Sequence, residues 1–246
     1  MTVATMQFIK EHKDLINENR FKELYDLEWD FDLIGEVTCV LLEAGIDPLV
    51  DMSMIPKRFL QGSNITEYSV PSHIHTIGSY AFDECKELET IHLPEGLTFI
   101  DVSAFCESTL RNINIPSTVE YIGADAFAAT CIKNITIPDG VKLISNYCFE
   151  ESDLESIKFG AKVLDIQDRA FAGCKRLQFV DLNEGLRTIY SYAFAECPKL
   201  DSIYIPSSVT KIGNSAFYHT PVVIQCEEES YAHQYAEEHD IEYQLV

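Results

Sequence analysis

A 22- to 23-residue motif recurs through most of this chain, and a fixed period of that length constrains the fold more than any other property of the sequence. Phenylalanines stand at Phe59, Phe82, Phe105, Phe127, Phe149, Phe171, Phe194 and Phe217, at steps of 23, 23, 22, 22, 22, 23 and 23 residues. Alanine precedes most of them (Ala81, Ala104, Ala126, Ala170, Ala193, Ala216), and Cys148 precedes one. Five residues before the ring comes Ile77, Ile100, Ile122, Ile144, Ile166, Ile189 or Ile212. Three residues earlier still comes a second aliphatic: Ile74, Leu97, Val119, Val141, Val163, Leu186 or Val209.

After each ring follows a segment written L-x-x-I-x-L, as in "LETIHL", "IKNITI", "LQFVDL" and "LDSIYI". In a strand, side chains alternate between faces, so the fourth and sixth places turn inward together. Pro71, Pro94, Pro116, Pro138 and Pro206 close most of these strands, with Gly160 and Asn183 in the other two. Proline has no amide hydrogen to give to a ladder, so it ends the strand and turns the chain. The ring and the aliphatic pair fill the interior from the returning side. One copy is too small to bury that face alone. Stacked copies bury it against each other, which predicts a solenoid.

The motif "IG..AF..C..L..I.IP", seen at Ile77–Pro94 and with one residue fewer at Ile122–Pro138, resembles the BspA-like, or Treponema pallidum-type, leucine-rich repeats. The resemblance covers roughly residues 51–226, about seven to eight units. It implies an α/β repeat solenoid: a curved parallel-strand leucine-rich repeat array with a helical N-terminal cap and a short C-terminal cap. Members of that family are mostly surface or secreted proteins that bind other macromolecules.

The two ends do not repeat. "TMQFIKEHKDLINENRFKELYDL" and "LIGEVTCVLLEAGI" read as amphipathic helices, the second ended by Gly45 and Pro48. Residues 1–50 are expected to shield the open end of the array, residues 51–226 to form it, and residues 227–246 to close it with a short acidic helix and a strand. The N-terminus lacks the basic start, apolar stretch and small-residue cleavage site of a secretory signal, which points to a cytoplasmic location.

A formal net charge of −22 argues against direct contact with nucleic acid or insertion at anionic membranes. The charge is uneven. Residues 1–50 hold 11 acids and 4 bases, and from Glu227 onward there are 7 acids and no Lys or Arg. Eight cysteines are present, but Cys85, Cys174 and Cys197 each follow a ring by three residues, with Cys131 one place later. Cysteines at one phase of a repeat occupy equivalent sites in successive turns, which favours small buried thiols over disulfides. No CxxC pair occurs, and no metal or cofactor is expected. P-loop, GxGxxG, GxSxG and HExxH motifs are all absent, so the reading is non-enzymatic.

The repeat allows outward-facing positions to be read as columns. The third place of L-x-x-I-x-L runs Glu67, Thr90, Asn112, Asn134, Ser156, Phe179, Ser202, and the fifth runs Ser69, His92, Asn114, Thr136, Lys158, Asp181, Tyr204. Another column precedes the isoleucine of "IG": Thr76, Phe99, Tyr121, Leu143, Asp165, Thr188, Lys211. Phe99, Tyr121 and Leu143 would lie side by side, as an apolar stripe if outward or as packing between turns if not. Phe179 with Tyr204 is a second candidate anchor. The candidate partner-binding residues are therefore Thr90, His92, Phe99, Asn112, Asn114, Tyr121, Asn134, Thr136, Leu143, Lys158, Phe179, Asp181 and Tyr204.

The leading expectation is a scaffold that binds a protein partner through its strand face or that stripe, with self-association into a homo-oligomer left open. Two alternatives remain. One is an acidic inhibitor that imitates nucleic acid and blocks a basic groove, with binding that collapses in salt. The other is a surface adhesin that binds protein or glycan.

Overall fold

The computed structural model describes residues 2–27, 31–50 and 52–246; Asp51, where the repeat array is expected to begin, lies outside them. From Met54 onward the chain winds as a stacked series of coils whose strands fall into two parallel columns. The first ladder collects β2 (Glu67–Ser69), β4 (Thr90–His92), β6 (Asn112–Ile113), β8 (Asn134–Thr136), β10 (Ser156–Lys158), β12 (Phe179–Asp181), β14 (Ser202–Tyr204), β16 (Val223–Cys226) and β17 (Tyr243–Leu245). The second collects β1 (Met54–Ile55), β3 (Thr76–Ile77), β5 (Phe99–Ile100), β7 (Tyr121–Ile122), β9 (Leu143–Ile144), β11 (Asp165–Ile166), β13 (Thr188–Ile189) and β15 (Lys211–Ile212). The L-x-x-I-x-L strand is thus shorter than its six-residue pattern, and the returning aliphatic segment forms a ladder of its own.

Register follows the repeat. Ile77 lies opposite Ile55 and Ile100, and Ile157 lies opposite Ile135 and Val180. Isoleucine is buried at each of these places in the second ladder, as the two-residue alternation requires.

The turn around each ring has a fixed backbone solution. Two residues before the ring, Tyr80, Ser103, Asp125, Tyr147, Arg169 and Tyr192 all have φ between 52° and 60°. Two residues after it, Glu84, Glu107, Ala129, Glu151 and Glu196 do the same, with Gly173 at 72°. A left-handed conformation costs a side-chain-bearing residue about 1–2 kcal/mol. The offset is a row of bonds to the next coil: Tyr80 donates its amide to Val102 at 3.0 Å, Phe82 to Ala104 at 2.8 Å and Glu84 to Cys106 at 2.9 Å. The coils are therefore stitched together around the turn as well as along the ladders.

Inside, the rings form a column. Neighbouring centroids from Phe82 through Phe217 lie 5.1–5.6 Å apart with interplanar angles of 3–13°. The first coil departs from the sequence alignment. Leu60, not Phe59, donates to Ala81 at 2.7 Å as Phe82 does to Ala104, so Leu60 holds the ring position. Phe59 moves into the alanine place and meets Phe82 edge-on at 6.4 Å and Tyr25 at 6.1 Å. The reason is its setting: the top coil has no ring above it, and an aromatic turned toward the cap buries more surface there.

The helical N-terminal cap is present as four segments: α1 (Val3–Glu11), α2 (Lys13–Asn17), α3 (Phe21–Tyr25) and α4 (Phe31–Glu43). The single long helix read from the sequence breaks at Glu18–Arg20, where Asn19 adopts φ 54°. Phe21, Leu24, Val37 and Leu41 bury against the first coil. Helix α4 approaches so closely at Gly35 that a Cβ there would stand 2.5 Å from the Gln61 carbonyl. At the other end α5 (Tyr231–Glu238), N-capped by Ser230, places Tyr235 edge-on against Phe217 at 6.4 Å.

Three residues past the ring position, every coil holds a thiol or hydroxyl: Ser63, Cys85, Ser108, Thr130, Ser152, Cys174, Cys197, Thr220. Cys85, Cys174 and Cys197 reach back one coil to donate to the carbonyls of Leu60, Phe149 and Phe171 at 3.0–3.2 Å, and Ser108 and Thr130 donate to Phe105 and Phe127 at 2.8 and 2.9 Å. Thr130 fills this place in its coil, which leaves Cys131 one step out and half-buried. Packing alone is therefore an incomplete reason for the cysteines, since each also satisfies a buried peptide carbonyl.

Phe127→Ala should lower unfolding free energy by about 3–5 kcal/mol in urea titration, through lost burial and a cavity between two stacked rings. Burial pushes the Cys85 thiol up to about 11 and Cys174 up to about 12. At pH 8 both should resist iodoacetamide in the native protein and label at once in denaturant, as mass spectrometry would read.

Candidate partner-binding surface

The first ladder's outward face carries the two strand columns. Asn112, Asn134, Phe179, His92, Asn114, Thr136, Lys158 and Asp181 are exposed, and Thr90, Ser156 and Tyr204 are half-buried. Phe179 is the most open large apolar side chain of this face at 69%. The columns are laced by ion pairs between coils: His92 with Glu67 at 2.9 Å, Lys133 with Glu155 at 3.0 Å, and Arg111 with Glu89 and Lys158 with Asp181 at 3.9 Å. These are exposed pairs worth at most about 1 kcal/mol each, so they order the surface more than they stabilise it.

Between these strands runs a groove of about 740 Å³ whose walls include Thr90, His92, Arg111, Asn112, Lys133 and Asn134. A second depression of about 360 Å³ continues it past Asn114, Thr136 and Lys158 to Phe179 and Asp181. Nine of the sequence-selected residues thus share one path. Tyr204 stands in the fifth column and Phe179 in the third, on neighbouring coils whose strands β14 and β12 are not paired.

The second ladder presents the other column. Register places Met54, Thr76, Phe99 and Tyr121 side by side. Met54, Phe99 and Tyr121 are 43%, 44% and 37% exposed, and the Phe99 and Tyr121 rings lie 6.0 Å apart. The outward alternative holds for this pair, while Leu143 is half-buried. Met54 escaped the sequence columns because the first repeat is degenerate, although its place just before Ile55, twenty-two residues ahead of Ile77, marks it. It also edges an apolar depression of about 330 Å³ with Tyr25, Met52 and Pro56, where the cap meets the first coil.

A third feature had no sequence signal. On the turn side Arg169 lies 4.9 Å over the Tyr192 ring and 3.7 Å from Glu150, and Tyr192 meets Tyr218 at 6.0 Å. The cation on this aromatic cluster is the chain's own arginine.

The strongest pKa displacements lie elsewhere. Burial raises the thiols Cys85, Cys148, Cys174 and Cys197 and the phenols Tyr25, Tyr68 and Tyr235. Groups held in their protonated form inside a packed core are poor nucleophiles and bases. Among the described residues no cluster of three or more His, Cys, Asp or Glu could hold a metal, and no helix is long and apolar enough to cross a membrane.

A two-ladder parallel solenoid with an internal phenylalanine column and polar outer columns is a leucine-rich repeat architecture. The family model for BspA-type leucine-rich repeat regions matches residues 53–175 and 100–224, in six copies, and the chain belongs to that family. Among solved structures it is similar to a leucine-rich repeat protein from Bacteroides ovatus, at 26% identity and a TM-score of 0.54, covering 79% of this chain and 55% of that one. A leucine-rich repeat protein from Eubacterium ventriosum shows 25% identity and a TM-score of 0.59, covering 69% and 46%. The Treponema pallidum leucine-rich repeat protein shows 28% identity and a TM-score of 0.54, covering 58% and 69%. The chain spans about half the length of the first two. No curated protein matches it. The family relation makes the chain a repeat scaffold of the kind used in binding or adhesion.

Because Phe99 and Tyr121 stand on the outer face of the ladder, Phe99→Ala should cost about 1 kcal/mol, the scale of one cross-strand aromatic pair. Phe105→Ala, six residues away but inside the column, should cost about 3–5 kcal/mol in the same urea titration.

Proposed function

We propose that this protein is a non-catalytic scaffold that recognises another protein across its strand face and along the apolar stripe. The observation that carries the reading is the exposed aromatic pair Phe99 and Tyr121, aligned in register with exposed Met54 on a rigid ladder. Exposed aromatics held in place by a ladder can bury area on docking with little loss of side-chain freedom, which is how interface anchors gain most of their energy. The groove and its ion-pair lattice would supply the polar rim and the register.

A pull-down from lysate at low and high salt tests this reading, with Phe99→Ala/Tyr121→Ala and Phe179→Ala/Tyr204→Ala variants beside the parent chain. A protein partner retained in high salt and lost, by roughly tenfold or more in affinity, in one double variant is the expected result. A partner that dissociates in salt and ignores both variants would instead support the acidic-inhibitor reading, and capture of glycan alone would support the adhesin reading.

A further inference from the structure

Both ladders are interrupted, and at one coil junction the interruptions coincide. Pairing runs from β2 to β6 and resumes at β8, and it runs from β1 to β7 and resumes at β9. The turns across the same junction stay bonded, Ser103 to Ala124 at 2.8 Å and Phe105 to Ala126 and Glu107 to Ala128 at 2.9 Å. In neighbouring coils a backbone amide reaches the preceding isoleucine carbonyl, as Gly123 does to Ile100 at 2.8 Å. Here the hydroxyl of Ser145 donates to the Ile122 carbonyl instead. At this junction the ladders are thus without backbone pairing while the flanking turns stay bonded.

The charges at this opening are ordered. The second place of the strand motif reads Glu89, Arg111, Lys133, Glu155 over four consecutive coils. Each cation pairs with the acid on its outer side, Arg111 with Glu89 and Lys133 with Glu155. The two cations therefore stand on the two strands that flank the unpaired junction, and among the described residues no acid lines the groove between those strands. Both line the groove of about 740 Å³, together with Asn112, Asn114 and Asn134. Asn134 accepts from Ser156 at 2.7 Å, whereas the amides of Asn112 and Asn114 make no side-chain hydrogen bond among the described residues.

We propose that this junction receives an extended acidic peptide segment of a partner protein. A carboxylate of the segment sits between Arg111 and Lys133, and its backbone is read by the asparagine amides as it crosses the strands. A carboxylate flanked by two cations gains charge-assisted bonds, and side-chain amides match the alternating donors and acceptors of a peptide. From β4 to β12 the groove crosses four strand spacings, roughly 19 Å at about 4.8 Å each, or about six extended residues. That path ends on exposed Phe179. The acidic ends of this chain do not forbid such a ligand, because at physiological salt fields fade over about 8 Å. The inference rests on the scaffold reading above and names the partner's chemistry at one of its two surfaces.

The test is a random-peptide display library panned on the full chain and on an Arg111→Glu/Lys133→Glu variant of unchanged urea midpoint. Expected is enrichment of Asp- or Glu-containing peptides on the parent chain. The synthesised peptides should bind at least roughly tenfold more weakly to the charge-reversed variant and within about threefold to Lys133→Arg. Failure to enrich peptides, enrichment without acidic residues, or affinity that survives charge reversal would overturn the proposal. So would charge-dependent binding of oligogalacturonate in place of any peptide. A failure here alongside a partner captured through Phe99 and Tyr121 would remove only this inference, whereas failure of both would remove the scaffold reading.

Discussion

The column of parallel phenylalanine rings is the contact on which the rest of the structure depends. Six successive ring pairs sit at 5.1–5.6 Å, close to the spacing of the strands on either side, so one period serves both packing and hydrogen bonding. An offset of one residue would move a ring out of the column and at the same time turn an isoleucine to solvent. The insertions that stretch some steps from 22 to 23 residues are absorbed between the ring and the strand, as in "AFDECKELETI" against "AFAATCIKNI", where neither packing nor pairing is disturbed. The left-handed residues that bracket each ring let the chain bend around it while its amides still point to the next coil.

A column of this kind has two ends, and both are closed by rings set across it. Phe59 and Tyr235 meet the terminal phenylalanines edge-on rather than stacked, which stops the repeat and turns the chain toward the helices that cover it. The buried thiols and hydroxyls solve a related problem, because a turn that bends this sharply leaves carbonyls facing inward with no ladder amide to donate to them. With the interior so fully determined, variation is confined to the outward columns and the coil junctions, and those are the places where a partner would be recognised.

Much of this was legible in the residues. The ring spacing, the isoleucine phase and the closing prolines specify the solenoid and the outward columns, and the same spacing makes Phe99 and Tyr121 neighbours. Phe59 misled because it is a phenylalanine at nearly the right spacing, and only the hydrogen bond from Leu60 to Ala81 shows which residue holds the ring position. The second ladder was hidden because two-residue strands have no room for an alternating pattern. Met54 was missed for want of a recognisable motif around it, and the turn-side cluster because Arg169 and Tyr192 share one phase of successive coils while Tyr218 stands at another.

The sequence by itself determined the period, the stacking of identical coils and the identity of the interior residues, since burial and alternation act locally and repeat with the motif. Only the tertiary structure decided which outward residues are open, where the ladders part and which charges meet. Those depend on how each coil seats on the next. That seating is set by the turn bonds and strand bonds between successive coils, and no single repeat contains both sides of them.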